Sequence, residues 1–90
     1  MHAALVTVTI DPDQADAARS ALDEQVVPMV KAAPGFVTGY WVDRSDGKGF
    51  SFVVFESEAQ ARQTAPPAGA SPAPGVSVDS AEIVEVVAHA

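Results

Sequence analysis

Two histidines, His2 and His89, are the side chains of this 90-residue chain that titrate near neutral pH without help from their surroundings. They stand at opposite ends of the chain, and they would lie close together if the first and last strands were antiparallel neighbours. Such a pair would either transfer protons or form a weak metal site completed by Asp79 or Glu82. Two imidazoles without a third ligand make a poor zinc site, and two solvated histidines near frayed termini are the simpler interpretation. The sequence therefore predicts no metal site.

The aromatic residues form the second group with possible chemistry. Tyr40 and Trp41 are adjacent, so in a strand they point to opposite faces. If Asp46-Gly47 were a two-residue turn, Trp41, Phe50 and Phe52 would share one face, whereas a longer loop would shift that register. We predict that Trp41, Tyr40, Phe50 and Phe52 contribute to a ligand pocket, with stacking on a planar ligand and a hydrogen bond from the Tyr40 hydroxyl. The alternative is packing in the core or at an interface.

Several other kinds of site are excluded by composition. The chain has no cysteine, which rules out disulfides, zinc–thiolate sites, iron–sulfur centres and a thiol nucleophile. No Gly-rich phosphate loop, nucleophilic-serine motif or calcium loop is present. The 12 acidic and 5 basic side chains give a net charge of −7, which disfavours nucleic acid and anionic membranes as partners.

The hydropathy pattern indicates a folded domain outside the membrane. Hydrophobic residues make up 48% of the chain, yet no apolar run approaches the ~20 residues of a membrane span. Asp11, Asp13 and Asp16 interrupt the stretch where a secretory signal would be apolar. We therefore expect a cytoplasmic protein.

Two helices are predicted between stretches of strand. Asp11-Pro12 is a typical helix start, and apolar residues three and four apart continue as far as the stop at Pro34-Gly35. Pro28 lies inside this run and predicts a kink or an early end near Val27. A second, short helix begins at Ser57, which heads a capping-box pattern, and continues to about Thr64.

Four strands complete the predicted single domain of residues 1–90. They are predicted from alternating β-branched and aromatic residues at Ala3–Ile10, Phe36–Asp43, Phe50–Glu56 and about Ala81–Ala88, with an exposed Pro/Ala/Gly-rich loop at 66–75 before the last strand. The order β-α-β-β-α-β is that of the ferredoxin-like α+β fold, a four-stranded antiparallel sheet with both helices on one face.

The strands are apolar on both faces, although two short helices cover only one. Phe50, Phe52 and Val54 alternate with Val53 and Phe55, so neither face of that strand is polar. A bare apolar face would be larger than monomers usually expose, which predicts a homodimer that packs sheet against sheet.

Four short motifs resemble those of the dimeric α+β barrel superfamily, which includes the antibiotic-biosynthesis monooxygenase-like proteins. They are Pro34-Gly35-Phe36, Gly39-Tyr40-Trp41, Phe55-Glu56-Ser57-Glu58-Ala59 and the ending Val86-Val87-Ala88-His89-Ala90. The resemblance implies a dimer whose two sheets form a barrel, with a cleft or cavity on each side. Members include cofactor-independent oxygenases of polycyclic phenols and haem-degrading enzymes.

The resemblance also bears on the candidate residues. The ending that contains His89 recurs in the resembled proteins, which makes His89 the candidate catalytic base. The chain contains no asparagine, so the Asn/Trp/His arrangement of the haem-degrading members cannot be assembled. We expect no cofactor.

Two functions remain open at this point. The first is a cofactor-independent monooxygenase-like enzyme that acts on a small aromatic or polyketide-like substrate, which must itself form a stabilised carbanion. The second is a non-catalytic dimeric module that binds a small apolar ligand or a partner. The sequence discriminates between them only through the scarcity of titratable groups.

Overall fold

A computed structural model describes residues 1–90 and has an α+β fold built on a four-stranded antiparallel sheet. The spatial order of the strands is β2-β3-β1-β4, so the first strand lies in the centre and each neighbouring pair is antiparallel. The strands are β1 (His2–Ile10), β2 (Phe36–Asp43), β3 (Lys48–Phe55) and β4 (Val76–Glu85).

The helical residues form two segments. The first is continuous and comprises a 3₁₀ turn (Pro12–Gln14), α1 (Ala15–Ala21), a π turn (Leu22–Val26) and α2 (Val27–Lys31); the second is α3 (Glu58–Thr64). Asp11 caps the first segment, since its carboxylate accepts the Asp13 N–H at 3.0 Å. Ser57 caps α3 in the same way through the Gln60 N–H.

The π turn explains why Pro28 does not end the first segment. A proline ring inside a helix clashes with the carbonyl four residues earlier and leaves it without a donor. Here the Val27 N–H donates to the Leu22 carbonyl, five residues back, so the helix is wider immediately before Pro28. The helix continues to Lys31, so it does not end early near Val27, and the irregularity before Pro28 is this π turn.

Both helical segments pack on the same face of the sheet. Val30 from α2 and Ala61 from α3 join Val53 and Phe55 of β3 in one buried cluster. Phe55 is fully buried and meets Phe36 edge to face, with 6.4 Å between the ring centroids.

The hairpin between β2 and β3 differs from a two-residue turn. Four residues, 44–47, separate the strands, and the Asp43 and Asp46 carboxylates accept the N–H groups of Ser45 and Lys48. This longer loop pairs Tyr40 with Phe52 and Trp41 with Ser51. The register is therefore shifted by one residue from the two-residue-turn alternative, and Trp41 does not share a face with Phe52.

The last strand begins and ends earlier than the apolar pattern predicts. It starts at Val76 instead of about Ala81, because a β-bulge at Asp79 interrupts the alternation in its first half. It ends at Glu85, the partner of His2 at the start of β1, and the Val86 N–H donates to the carbonyl of Met1 just beyond that pair.

The loop at 66–75 is mostly exposed but is attached to the sheet through its backbone. The Gly69 N–H donates to the Val78 carbonyl at 2.8 Å, and the Val78 N–H donates to the Ala70 carbonyl at 2.9 Å. At its end, the Gly75 carbonyl accepts the N–H of Asp11 at 2.8 Å. Ala73 is buried, so the loop closes one side of the space between helix and sheet.

The other face of the sheet carries no helix. Leu5, Phe52 and Val84 lie on it by register, together with Tyr40 and Val42 of the edge strand. Tyr40 is 63% exposed. We call these five residues the open face. None of the helical segments has the length and hydropathy that crossing a membrane requires.

Candidate functional site

A cavity of about 630 Å³ lies between the first helical segment and the sheet. Its floor is the helix-facing side of the two central strands, where Ala4 and Val6 of β1 pair with Val53 and Ser51 of β3. Eighteen of its 27 lining residues are hydrophobic, and the Ser51 hydroxyl is the polar group of this floor. Cavities of this size and character are typical of small-molecule sites.

The helix forms the second wall, and the π turn contributes to it directly. Leu22 and Val26, the first and last residues of the π turn, both line the cavity, as does Met29 of α2. Met29 occupies the apolar stripe of the sequence pattern but is 65% exposed. A ligand seated in the cavity would therefore cover apolar surface that the chain itself leaves open.

Loop 66–75 and the end of α3 form the third wall. Ala65 and Pro66 follow α3, and Ala73 and Val76 lie at the end of the loop. Since the backbone of this loop is hydrogen-bonded to Val78 and Asp11, this wall is held against the sheet.

Charged side chains line the cavity at its exposed edge. We call Asp16, Arg19, Asp23 and Asp43 the charged rim; three come from the first helical segment and Asp43 from the end of β2. Arg19 Nη2 lies 4.0 Å from Asp43 Oδ2, so this ion pair connects the helix to the sheet across the cavity edge. Both side chains are well exposed, which limits such a pair to about 0.2–1 kcal/mol.

Sequence reasoning missed the charged rim. The aspartates of the helix are typical of a solvated helix face, and those at the hairpin of solvating charges. No spacing relates Arg19 to Asp43, because they belong to different elements that only the tertiary fold brings together.

Two of the four predicted aromatic residues border the cavity. The Trp41 ring lies over Gly39 on the helix-facing side of β2, where a Cβ on Gly39 would come within 2.9 Å of the indole. Phe50 also borders the cavity, next to Gly49, although its register position belongs to the opposite face. Tyr40 and Phe52 pair with each other on the open face and do not line the cavity.

Neither histidine lines the cavity. His2 Nε2 lies 3.8 Å from Glu58 Oε2 at the start of α3. Hydrogen bonds from Arg62 lower the pKa of Glu58, and the electrostatic attraction between the guanidinium and the carboxylate lowers it further. His89 lies four residues beyond the end of β4 in an exposed tail and is not among the residues that line the cavity. No three side chains of the metal-binding types come together to hold a metal ion.

A polar cluster lies on the far side of the sheet from the cavity. Thr9 Oγ1 donates to Asp79 Oδ2 at 2.8 Å, and Lys48 Nζ lies 2.6 Å from Thr9 Oγ1 and 3.1 Å from Asp79 Oδ2. The hydrogen bond from Thr9, followed by that from Lys48, lowers the pKa of Asp79. The ionised form of Asp79 is therefore favoured, and it pairs with Lys48.

Comparison with known proteins assigns no family to this chain. It gives no match to a protein-family model, to a curated protein or to a solved structure. The cavity, its charged rim and the open face are therefore the observations on which a function can be argued.

Proposed function

We propose that the protein is a binding module that holds a small apolar, aromatic ligand in the cavity between the first helical segment and the sheet. The observation that carries this proposal is the cavity itself: about 630 Å³, lined mainly by apolar side chains and bordered by Trp41. Its Ser51 hydroxyl offers one hydrogen bond to orient the ligand.

We further propose that the chain is a ferredoxin-like member of the dimeric α+β barrel superfamily. The strand order β2-β3-β1-β4, with both helical segments on one face, supports this assignment. The open face supports a dimer, since a second copy seated there would cover Tyr40, Phe52 and Val84. Because the cavity lies on the other face, each copy would keep its own.

A cofactor-independent monooxygenase is the second candidate function. Its candidate bases are a rim carboxylate beside a bound phenol and His89 on the tail. Deprotonated 1-naphthol would add O₂ at a ring carbon, and the resulting hydroperoxide would lose water to leave the quinone. One O₂ is then consumed and one water released for each quinone.

Binding is tested with N-phenyl-1-naphthylamine, an uncharged aromatic probe. Trp41 is the only tryptophan, so energy transfer from it to the probe reports that the probe is bound to the protein, and the substitution at Ser51 tests where it is bound. We expect saturable transfer in the wild type. In Ser51→Leu the larger side chain fills the floor, and the affinity should fall about tenfold or more. Ser77→Leu, an exposed position whose register partner Thr9 faces away from the cavity, is the matched control.

Absence of saturable energy transfer from Trp41 to the probe in the wild type would overturn the binding proposal. An equal effect of the two substitutions would place the probe elsewhere on the chain. Catalysis is tested separately by O₂ uptake with 1-naphthol in the wild type, His89→Ala and Asp43→Asn. Uptake that neither substitution lowers would exclude both candidate bases.

A further inference from the structure

We infer that the cavity selects uncharged or cationic aromatic ligands and rejects those that carry an anionic group. This inference rests on the proposed function, because it concerns the ligand class of the same cavity. It follows from the sign and the pairing of the charges that line it.

The lining residues contain three carboxylates and one cation. Asp16 and Asp23 lie on the helix side and Asp43 on the sheet side, and Arg19 is the only lysine or arginine among the 27 lining residues. With these four side chains ionised, the rim carries a charge of −2. The three carboxylates do not converge on one point as a metal site would require, so they act as a distributed negative edge.

The single cation lies beside one of the three carboxylates. Arg19 Nη2 is 4.0 Å from Asp43 Oδ2, and a ligand carboxylate, sulfonate or phosphate would have to compete with Asp43 for it. Even if the anion displaced Asp43, that aspartate would be left unpaired beside the new negative charge. An anionic ligand therefore gains little from Arg19 and is repelled by Asp16 and Asp23.

The floor offers no compensation for an anion. Ala4, Val6 and Val53 are apolar, and the one hydroxyl, that of Ser51, cannot replace the hydration of a full negative charge. An aromatic ring can thus enter the apolar interior, whereas an anionic substituent has no favourable position either inside or at the rim. An uncharged or amine substituent meets no such penalty.

Two probes with the same aromatic skeleton test this directly. 8-Anilinonaphthalene-1-sulfonate is N-phenyl-1-naphthylamine with one added sulfonate, so the ratio of their dissociation constants reports the effect of that group, and the salt series and charge-removal variants separate the contribution of its charge. At low ionic strength we expect the sulfonate to bind about tenfold more weakly, with energy transfer from Trp41 as the binding signal and Ser51→Leu as the test of location. The ratio should shrink in 0.5 M NaCl, because salt screens the rim.

Charge-removal variants complete the design. Asp16→Asn combined with Asp23→Asn should reduce the ratio at least threefold. Glu24→Gln combined with Glu56→Gln is the matched control, because it makes the same change in net charge at exposed positions that do not line the cavity. It should leave the ratio of dissociation constants unchanged. An equal effect of both pairs would attribute the selectivity to overall charge and overturn the assignment to the rim.

The failures of the two proposals are distinguishable. If the uncharged probe binds and the sulfonate binds equally well with the same dependence on Ser51, the selectivity is refuted and the binding function stands. If the uncharged probe does not bind, both are refuted.

Discussion

Asp79 shows how one bulged residue places a polar group on the outer face of the sheet. The bulge places Val78 opposite Val8 and Ser80 opposite Thr7, so Asp79 is the extra residue of β4. Its carboxylate is thereby directed to the outer face, where it meets Thr9 and Lys48. The three side chains form a small hydrogen-bonded network at one end of the open face.

Loss of the Thr9 hydroxyl should raise the pKa of Asp79. The hydrogen bond from Thr9 is the largest cause of the lowered value, so Thr9→Val should move the pKa back towards 3.8, with Lys48 limiting the change. The carboxyl ¹³C resonance of Asp79, followed during an acid titration, measures this. Thr7→Val, also on the outer side of β1 and outside the network, should leave the value unchanged; an equal shift there would contradict the assignment.

The same network makes stability depend on acid. A carboxyl whose pKa is lowered by folding stabilises the fold at pH above its ordinary value near 3.8, and the contribution is lost as the pH falls through the lowered value. Denaturant unfolding at pH 7 and pH 2 should thus show a smaller acid-induced loss of stability for Thr9→Val than for Thr7→Val. A larger loss in Thr9→Val would reverse the sign and refute the argument.

At the scale of an element, the π turn keeps two buried residues on one side of the first helical segment. Ala18 and Val30 are both buried and are 12 residues apart. In a regular α-helix that spacing places side chains about 120° apart, whereas a spacing of 11 places them about 20° apart. The π turn absorbs one residue and restores the alignment, in addition to accommodating Pro28.

This predicts an asymmetry between removing and adding a residue. In a Pro28→Ala background, deletion of the exposed Gln25 should be tolerated, because the helix becomes a regular α-helix with Ala18 and Val30 still aligned. Insertion of one alanine after Gln25 should rotate Val30 out of the core and cost about 2 kcal/mol of unfolding free energy. Chemical denaturation of both variants and of Pro28→Ala measures the difference. Equal losses would show that the π turn does not set the alignment.

The elements differ in how far the sequence predicts them. The helix starts at Asp11 and Ser57 are predicted because capping is local chemistry, and the four strands follow from alternating apolar residues. The pairing of Trp41 with Ser51 depends on the hydrogen bonds that the Ser45 and Lys48 N–H groups donate to nearby carboxylates. The Asp-Gly motif does not reveal these hydrogen bonds. The end of β4 depends on where its partner β1 ends, and the charged rim depends on tertiary contact between Arg19 and Asp43. These features are non-local, so no window of sequence contains them.

At the scale of the whole molecule, we propose a different role for each face of the sheet. The helix-facing side forms the cavity and the open face forms the dimer contact. A stable interface buries roughly 800 Å² of accessible surface on each partner. The apolar residues of the open face would form the core of that interface.

Tyr40→Asp should convert a dimer to a monomer. The substitution places a charge on the proposed apolar interface, and we expect at least a hundredfold increase in the dimer dissociation constant. Met29→Asp is the matched control, because Met29 is 65% exposed, close to the 63% of Tyr40, and lies on the cavity side. Sedimentation velocity over a concentration series gives both constants. A monomeric wild type would refute the dimer while leaving the cavity proposal testable.

The hydrogen bonds between loop 66–75 and Val78 have a consequence for aggregation. A sheet edge with unpaired backbone groups recruits strands from other molecules, and this sheet has two edges, β2 and β4. On β4, the outward N–H and carbonyl of Val78 are already hydrogen-bonded to Ala70 and Gly69. The proline-rich loop therefore blocks that edge, and it cannot itself extend the sheet. The edge at β2 has no such cover and carries the exposed Val37, Tyr40 and Val42. Under destabilising conditions, fibril growth should therefore begin at β2, and shortening the loop would open a second growing edge at β4.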